Sequence, residues 1–200
     1  NYFPEVKKNF GFGCMRLPMT DGEVDKAQFN EMIDTYIKAG FNYFDTAHGY
    51  IDGKSQVAIK DCLTSRYKRE DYVLADKLSY WTFETDKDVL PLFEKQLELC
   101  GVEYFDFYLF HCINKEGYAK HQKYNTFDII KKLKEDGKIK HLGMSFHDSA
   151  EFLDKVLTEQ PYLEFVQLQI NYLDYDDPTA QSKACYDVAV KHGKKVIVME

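Results

Sequence analysis

Short apolar segments alternate with amphipathic segments along the whole chain, and this alternation restricts the fold more than any other feature. Between the apolar segments, hydrophobic residues recur at helical spacing, as Phe29, Ile33 and Tyr36 do in a segment that Gly40 ends. The predicted strands lie at 10–13, 41–45, 72–75, 104–110, 139–144, 165–169 and 196–199. Strands that alternate with helices at intervals of roughly 30 residues form parallel sheets covered by helices. The sequence therefore predicts an α/β fold.

Two parallel architectures have this order of elements, a (β/α)8 TIM barrel and an open, doubly wound sheet. Gly11 and Gly13 lie on the first strand, but a third glycine is missing and Pro18 follows before any helix starts. The glycine-rich turn of a dinucleotide-binding open sheet is therefore not encoded, and the barrel is favoured. Since a complete barrel takes ~250 residues, we expect residues 1–200 to form one incomplete barrel domain. It would cover about the first seven strands and stop before the eighth.

Composition narrows the classes of partner. The chain of 200 residues is 44% hydrophobic with a net charge of −7, which argues against disorder and against a nucleic-acid or anionic-membrane partner. No segment approaches the ~20 apolar residues of a membrane span, and the N-terminus has no signal-peptide core. The five cysteines are scattered without a C-x-x-C pair, which favours free thiols over a disulfide framework or a metal site. We expect a cytoplasmic protein, and its oligomeric state stays open.

A carboxylate, a tyrosine, a lysine and a histidine lie at or near the carboxyl ends of successive predicted strands. Asp45 ends the second strand, Tyr50 follows five residues later, and Lys77 and His111 follow the third and fourth strands. In a barrel these strand ends meet at one mouth. Tyrosine is a weak acid with a pKa near ~10, and a lysine cation beside it stabilises the phenolate while a carboxylate holds the lysine charged. Each residue alone has an ordinary structural role, but together they predict a proton-transfer site.

Several sequence motifs resemble those of the aldo-keto reductases, and the resemblance extends over essentially the whole chain. These motifs are Asp-Thr-Ala-His-Gly-Tyr at 45–50, Gly-Phe-Gly-Cys-Met-Arg-Leu-Pro at 11–18, Gly-Lys-Ile-Lys-His-Leu-Gly-Met-Ser at 137–145 and Phe-Val-Gln-Leu-Gln at 165–169. The resemblance implies an NAD(P)H-dependent oxidoreductase that reduces a small aldehyde or ketone to an alcohol. It further implies that Tyr50 donates the proton, that Lys77 and Asp45 tune the acidity of Tyr50, and that His111 orients the carbonyl.

The resemblance also implies a cofactor, NADP or NAD. Its expected contacts are Gly13, Cys14, Met15, Asp45, Ser145 and Gln167. Phe146 stands where many relatives have an asparagine that binds the carboxamide, and Gln56 replaces a common glutamate, which we interpret as a feature of the helix start. In the family, the segments that grip the pyrophosphate follow the seventh and eighth strands. The chain is similar to bacterial members with a ferredoxin-like extension, so an iron–sulfur cluster is expected only in an extension beyond these residues.

Two other functions stay open. The barrel could bind the cofactor as a regulatory subunit with little turnover, or Lys77 could act as the nucleophile of a Schiff-base aldolase. Other polar residues have structural interpretations. Ser55 is predicted to cap the next helix, His48 to be structural, and Cys14 and Cys112 to be packing residues. His141 and His147 are six residues apart and do not form a predicted metal pair.

Overall fold

The computed structural model describes residues 3–199 of the chain. Its strands are β1 (Gly11–Gly13), β2 (Met19–Thr20), β3 (Glu23–Val24), β4 (Tyr43–Asp45), β5 (Val73–Ser79), β6 (Phe105–Ile113), β7 (Ile139–Phe146), β8 (Phe165–Gln169) and β9 (Lys195–Met199). Its α-helices are α1 (Lys26–Lys38), α2 (Lys54–Ile59), α3 (Val89–Cys100), α4 (Lys115–Lys123), α5 (Thr126–Glu135), α6 (Ala150–Glu159) and α7 (Ser182–Lys191). Helix α2 continues into one wide π-helical turn, Lys60–Thr64.

Seven of the strands form one parallel sheet in the order β1-β4-β5-β6-β7-β8-β9, while β2 and β3 form a separate hairpin. The order follows the chain without a reversal. A doubly wound sheet reverses its strand order at a switch point, whereas a barrel does not. The prediction of a (β/α)8-type barrel is therefore confirmed, and the open-sheet alternative is wrong. Within residues 3–199, β1 and β9 are the two edges of the sheet.

The sheet has an apolar layer on each face. Outside it, the helices pack their apolar stripes onto the strands, with buried anchors such as Phe29, Phe93 and Leu153. Inside the curl, a smaller cluster contains Tyr43, Val73, Ala75, Phe107, Leu109 and Phe165, and Phe3 caps it from below. The Phe3 ring centroid lies 4.7 Å from that of Phe107. Side chains alternate between the two faces of a strand, so the next inner-face residue lies two positions further along the chain. These next inner-face residues lie at the end of the barrel away from Phe3.

The helix ends follow local chemistry. Asp25 caps α1, since its carboxylate accepts a hydrogen bond from the Gln28 amide at 3.0 Å. Gly101 ends α3 in the left-handed conformation, at φ 67°. The predicted cap of α2 is wrong: Gly53 is the capping residue, and Ser55 lies buried inside the helix, where its hydroxyl donates to the Cys14 carbonyl at 2.8 Å. No helix in the described part of the chain is long and apolar enough to cross a bilayer.

Three strands run further than predicted. β5 continues to Ser79, β6 to Ile113 and β7 to Phe146, so Lys77, His111 and Ser145 are inward-facing strand positions rather than loop residues. The extensions contain polar residues, but every residue of β5 is buried. Polar side chains that are buried at these positions need hydrogen-bond partners from other parts of the chain. The polar residues described in the next section are those partners.

Candidate active site

The inner faces of five consecutive strands bring polar side chains to one mouth of the barrel. Register places Ser79 beside His111 on β5 and β6, and Ser145 beside Gln167 on β7 and β8. Asp45 is the last residue of β4, and Lys77 lies two positions beyond its register partner Ala75. Because residues two apart share a face of a strand, all of these side chains point the same way. The predicted residues Asp45, Lys77, His111, Ser145 and Gln167 are thus at one end of the fold.

Lys77 lies at the centre of this group and is almost fully buried, with 1% of its side chain exposed. Its ammonium donates to the Asp45 carboxylate, to the Thr46 carbonyl at 2.8 Å and to the Tyr50 hydroxyl at 3.2 Å. Three acceptors match the three N–H donors of an ammonium group. Burial alone lowers the pKa of a lysine, but the Asp45 charge and the two side-chain hydrogen bonds outweigh it and raise the pKa of Lys77. Lys77 is therefore a fixed cation.

Tyr50 reaches Lys77 from a strained loop. The residues on either side of it, Gly49 and Ile51, both have positive φ, and at Ile51 (φ 53°) this is sterically unfavourable because its side chain is β-branched. Backbone hydrogen bonds from Gly53 and Ser55 to the Tyr50 carbonyl, each 3.2 Å, hold the turn. Burial raises the pKa of Tyr50, while the Lys77 ammonium acts in the opposite direction. Tyr50 is thus protonated at neutral pH and is hydrogen-bonded to a cation.

His111 completes the predicted set as a neutral imidazole. Its Nδ1 lies 2.6 Å from the Ser79 hydroxyl, and its ring packs edge-on against Tyr50 with centroids 5.8 Å apart. Burial, aided by the positive charge of Lys77, lowers the pKa of His111 to about 2. The Trp81 ring, half exposed, lies 5.3 Å from the imidazole. Ser79 and Trp81 were not predicted. Ser79 could have been found from strand periodicity, since it lies two residues after Lys77, whereas nothing in the sequence distinguishes Trp81.

Ser145 and Gln167 lie on the far side of Asp45. The Gln167 amide donates to the second Asp45 oxygen at 3.3 Å. The Ser145 hydroxyl accepts a hydrogen bond from the Cys112 backbone amide at 2.7 Å, where β6 bulges and Cys112 adopts φ 55°. Ser145 thereby satisfies a donor that the bulge removes from the β6–β7 ladder. Within residues 3–199, the Ser145 O–H proton and the Gln167 carbonyl oxygen have no hydrogen-bond partner.

The three cofactor contacts that were predicted on the first strand have different surroundings in the structure. Gly13 pairs in register with Asp45 and has open space where a side chain would lie. Met15 is 42% exposed beyond the strand end. Cys14 is fully buried in the outer core, and its backbone amide donates to the Asp45 carbonyl at 2.8 Å. Burial raises the pKa of the Cys14 thiol, so Cys14 packs as a neutral thiol and touches the site through its backbone.

Phe146 and Gln56, the two residues that depart from the family motifs, make different kinds of contact in the structure. Phe146 points outward into the core and stacks on Phe152 with ring centroids 6.2 Å apart, so it offers no polar group to the mouth. The interpretation of Gln56 as a helix-start residue is wrong. Its side chain is fully buried and bridges His48 and Asp76, with hydrogen-bond distances of 2.9 Å and 2.6 Å.

This arrangement of strands agrees with comparisons against known proteins. The sequence profile of the aldo/keto reductase family matches residues 9–200. The chain belongs to the aldo/keto reductase family. This aldo/keto reductase is similar to the NAD(P)H-dependent D-xylose reductase of Hypocrea jecorina, with 34% identity over 113 residues that cover 54% of the chain and 34% of that enzyme.

Solved structures share the fold. The holo form of an aldo-keto reductase from Bacillus halodurans superposes with a TM-score of 0.77 at 22% identity, over 95% of this chain and 61% of that one. An aldo-keto reductase of Klebsiella pneumoniae, solved in complex with NADPH, superposes with a TM-score of 0.68 at 20% identity, over 94% and 62%. The chain thus spans about three fifths of the length of these two structures.

Proposed function

We propose that this aldo/keto reductase reduces an aldehyde or ketone to an alcohol with NADPH or NADH, and that Tyr50 is its general acid. The observation that carries the proposal is the buried Lys77 ammonium, which is hydrogen-bonded at once to the Asp45 carboxylate and to the Tyr50 hydroxyl. Structural ion pairs do not need a partly exposed tyrosine as third partner. Perturbed titratable groups that cluster at the mouth of a barrel favour a catalytic role.

Each residue has a defined task in the reaction. A bound nicotinamide supplies the hydride. As negative charge develops on the substrate oxygen, Tyr50 donates its proton, and the Lys77 cation stabilises the phenolate that remains. Asp45 keeps Lys77 charged and in place. His111 is neutral over the physiological range, so it can donate a hydrogen bond to the substrate oxygen without competing as an acid.

The mouth has suitable groups for the nicotinamide carboxamide. A carboxamide presents one acceptor and one donor group. The Ser145 hydroxyl can donate to the carboxamide oxygen, and the Gln167 carbonyl can accept from its nitrogen. Phe146 contributes nothing to this contact. The NADPH bound by the Klebsiella relative and the cofactor named for the xylose reductase support a nicotinamide here as well.

The geometry disfavours a Schiff-base aldolase. A nucleophilic lysine needs a neutral amine, which enzymes obtain by burial away from anions or beside another cation. Lys77 instead has a carboxylate partner that raises its pKa. Borohydride reduction in the presence of an aldehyde substrate is therefore expected to leave Lys77 unmodified.

Turnover assays test the proposal. We expect the protein to oxidise NADPH or NADH when an aldose or a small aldehyde is added, with alcohol formed in equal amount. Both cofactors are assayed because the preference between them is a separate question. Cofactor binding without turnover across a broad carbonyl panel would instead support a regulatory barrel.

A further inference from the structure

The backbone of Lys77 lies beyond the end of the neighbouring strand. β4 ends at Asp45, whose register partner is Ala75, and the Ala75 carbonyl accepts the last bond of this edge from Thr46 at 3.0 Å. In a parallel strand, residues two apart direct their backbone N–H and C=O to the same neighbour. The N–H and C=O of Lys77 therefore face the side on which β4 has ended. Buried backbone groups require other partners.

Two buried side chains supply those partners. One Asp76 carboxylate oxygen accepts from the Lys77 amide at 2.7 Å. The Gln96 amide, on α3, donates to the Lys77 carbonyl at 2.8 Å. Asp76 and Gln96 are both fully buried on the outer face of the sheet, away from the mouth. The catalytic lysine is thus fixed through its main chain by groups that do not touch the site.

The same side chains connect Lys77 to the loop of Tyr50. Gln56 donates to the second Asp76 oxygen at 2.6 Å, and its own carbonyl lies 2.9 Å from Nδ1 of His48, two residues before Tyr50. The Gln96 carbonyl accepts from the Tyr108 hydroxyl at 2.5 Å. Within residues 3–199, the hydrogen-bond partners of Asp76 are all donors: the Lys77 backbone amide, the Gln56 and Gln96 side-chain amides and the Cys100 thiol. This pattern suits a carboxylate and not a carboxylic acid. Burial raises the pKa of Asp76 to about 6, so it is ionised at neutral pH.

We propose that Asp76 is a positioning residue of the carbonyl reductase. It binds the Lys77 amide directly and, together with Gln56 and Gln96, holds Lys77 against Tyr50. The inference rests on the proposed function for its kinetic consequence, but its geometric content does not. A displacement of Lys77 by a fraction of an ångström weakens its hydrogen bond to Tyr50, and such displacements reduce the rate of the chemical step more than they reduce binding.

The test exploits the donor and acceptor pattern. In Asp76→Asn the new NH₂ group faces the Gln56 NH₂, so the hydrogen bond to Gln56 is lost. In the double variant Asp76→Asn/Gln56→Glu the pair is exchanged: the asparagine donates and the glutamate accepts, while the bonds to Lys77 and His48 stay possible. We expect Asp76→Asn to lower kcat about tenfold or more with KM and the NADPH Kd within about twofold, and the double variant to recover most of kcat.

Two further variants separate positioning from loss of stability. Thr126→Val removes a buried hydrogen bond to His121, 2.7 Å long, in α5 and should lower the melting temperature without lowering kcat. Gln96→Met removes the donor to the Lys77 carbonyl at similar volume, and it should show the same selective loss of kcat. This variant tests the proposal even if Asp76→Asn does not fold. Unchanged kcat in Asp76→Asn or in Gln96→Met, or a folded double variant no faster than Asp76→Asn, would overturn the proposal.

Crystal structures of these variants supply a readout independent of turnover. We expect the Lys77 Nζ–Tyr50 Oη distance, 3.2 Å in the wild type, to exceed hydrogen-bonding range in Asp76→Asn and to return in the double variant. An unchanged distance in Asp76→Asn would contradict the positioning role. If the wild type reduces no carbonyl, the proposed function fails, and these distances still decide the role of Asp76.

Discussion

At the scale of single residues, the site is a buried ion pair with a tyrosine attached. Lys77 and Asp45 are 1% and 14% exposed, so each charge depends on the other for compensation. Replacement of a whole buried pair by neutral groups is often tolerated, whereas removal of one partner leaves an uncompensated charge. Stability and catalysis at this position should therefore respond differently to the same substitutions.

The first prediction concerns this pair. Asp45→Asn should destabilise the fold by about 3–5 kcal/mol, because Lys77 is left buried without its counterion. The double variant Asp45→Asn/Lys77→Met should be more stable than Asp45→Asn alone, although we expect both to be inactive. Urea unfolding of the wild type and of the single and double variants completes the cycle. Additive losses would show that the two residues are not energetically coupled.

At the scale of elements, the strands are held in register at both ends of the barrel. At the mouth end, side chains hydrogen-bond to backbone groups that extend past the end of a shorter neighbouring strand, as the Gln96 amide does to the Lys77 carbonyl beyond the end of β4. At the opposite end, Glu164 joins three strands: its carboxylate accepts from the Leu142 amide at 3.0 Å, and its carbonyl accepts from the Lys195 amide at 3.2 Å. Lys134 and His141 contact the same carboxylate at 2.7 Å and 2.8 Å. Glu164 therefore connects β7, β8 and β9.

The second prediction is a pH dependence of stability. Burial acts to raise the pKa of Glu164, but His141, Lys134 and the Leu142 amide lower it from 4.5 to about 2. Because the fold favours the carboxylate, its contribution is present above about pH 4.5 and is lost as the pH falls towards about 2. Glu164→Gln should be less stable than the wild type at neutral pH and should lose less stability on acidification. Urea midpoints at neutral pH and at about pH 3 measure this difference. Parallel pH profiles for the two proteins would contradict the assignment.

The elements themselves were largely predictable, since apolar periodicity reports directly on which face of a helix or strand is buried. The errors lie where distant partners override local pattern. The polar residues Asp76 and Lys77 made β5 look shorter than it is, because their partners Gln56 and Gln96 are 20 and 19 residues away. The bulge at Cys112 and the hairpin β2–β3 also left no clear signal in the sequence.

The site was predictable in a different sense. Strand-end position and residue type indicated which side chains would meet, and the resemblance to a family supplied the roles that we propose for them. The charge states could not be obtained in this way. That His111 is neutral depends on its burial, which is a consequence of three-dimensional packing.

At the scale of the whole molecule, the described sheet has two edges. Within residues 3–199 the outer edge of β9 pairs with no other strand, and Val198 on it is 59% exposed. Val190, on the preceding helix, is 53% exposed. An apolar edge with free backbone groups favours association with another chain.

The third prediction follows from that edge. These 200 residues, produced as they stand, should associate at micromolar concentration, and Val198→Lys should reduce the association because a charged side chain protects an edge strand. Sedimentation velocity of both proteins measures the effect. A monodisperse wild type across the concentration range would contradict it.

Removal of the Tyr50 hydroxyl is the most direct test of the whole account. Tyr50→Phe leaves the ring and its contact with His111 in place, so kcat for NADPH-dependent carbonyl reduction should fall by at least ~10²-fold while the NADPH Kd changes little. Tyr67→Phe is the matched control, since it removes a hydroxyl that is bonded to Asp34 outside the barrel mouth. A Tyr50→Phe variant that retains most of its kcat would show that the proton comes from another group.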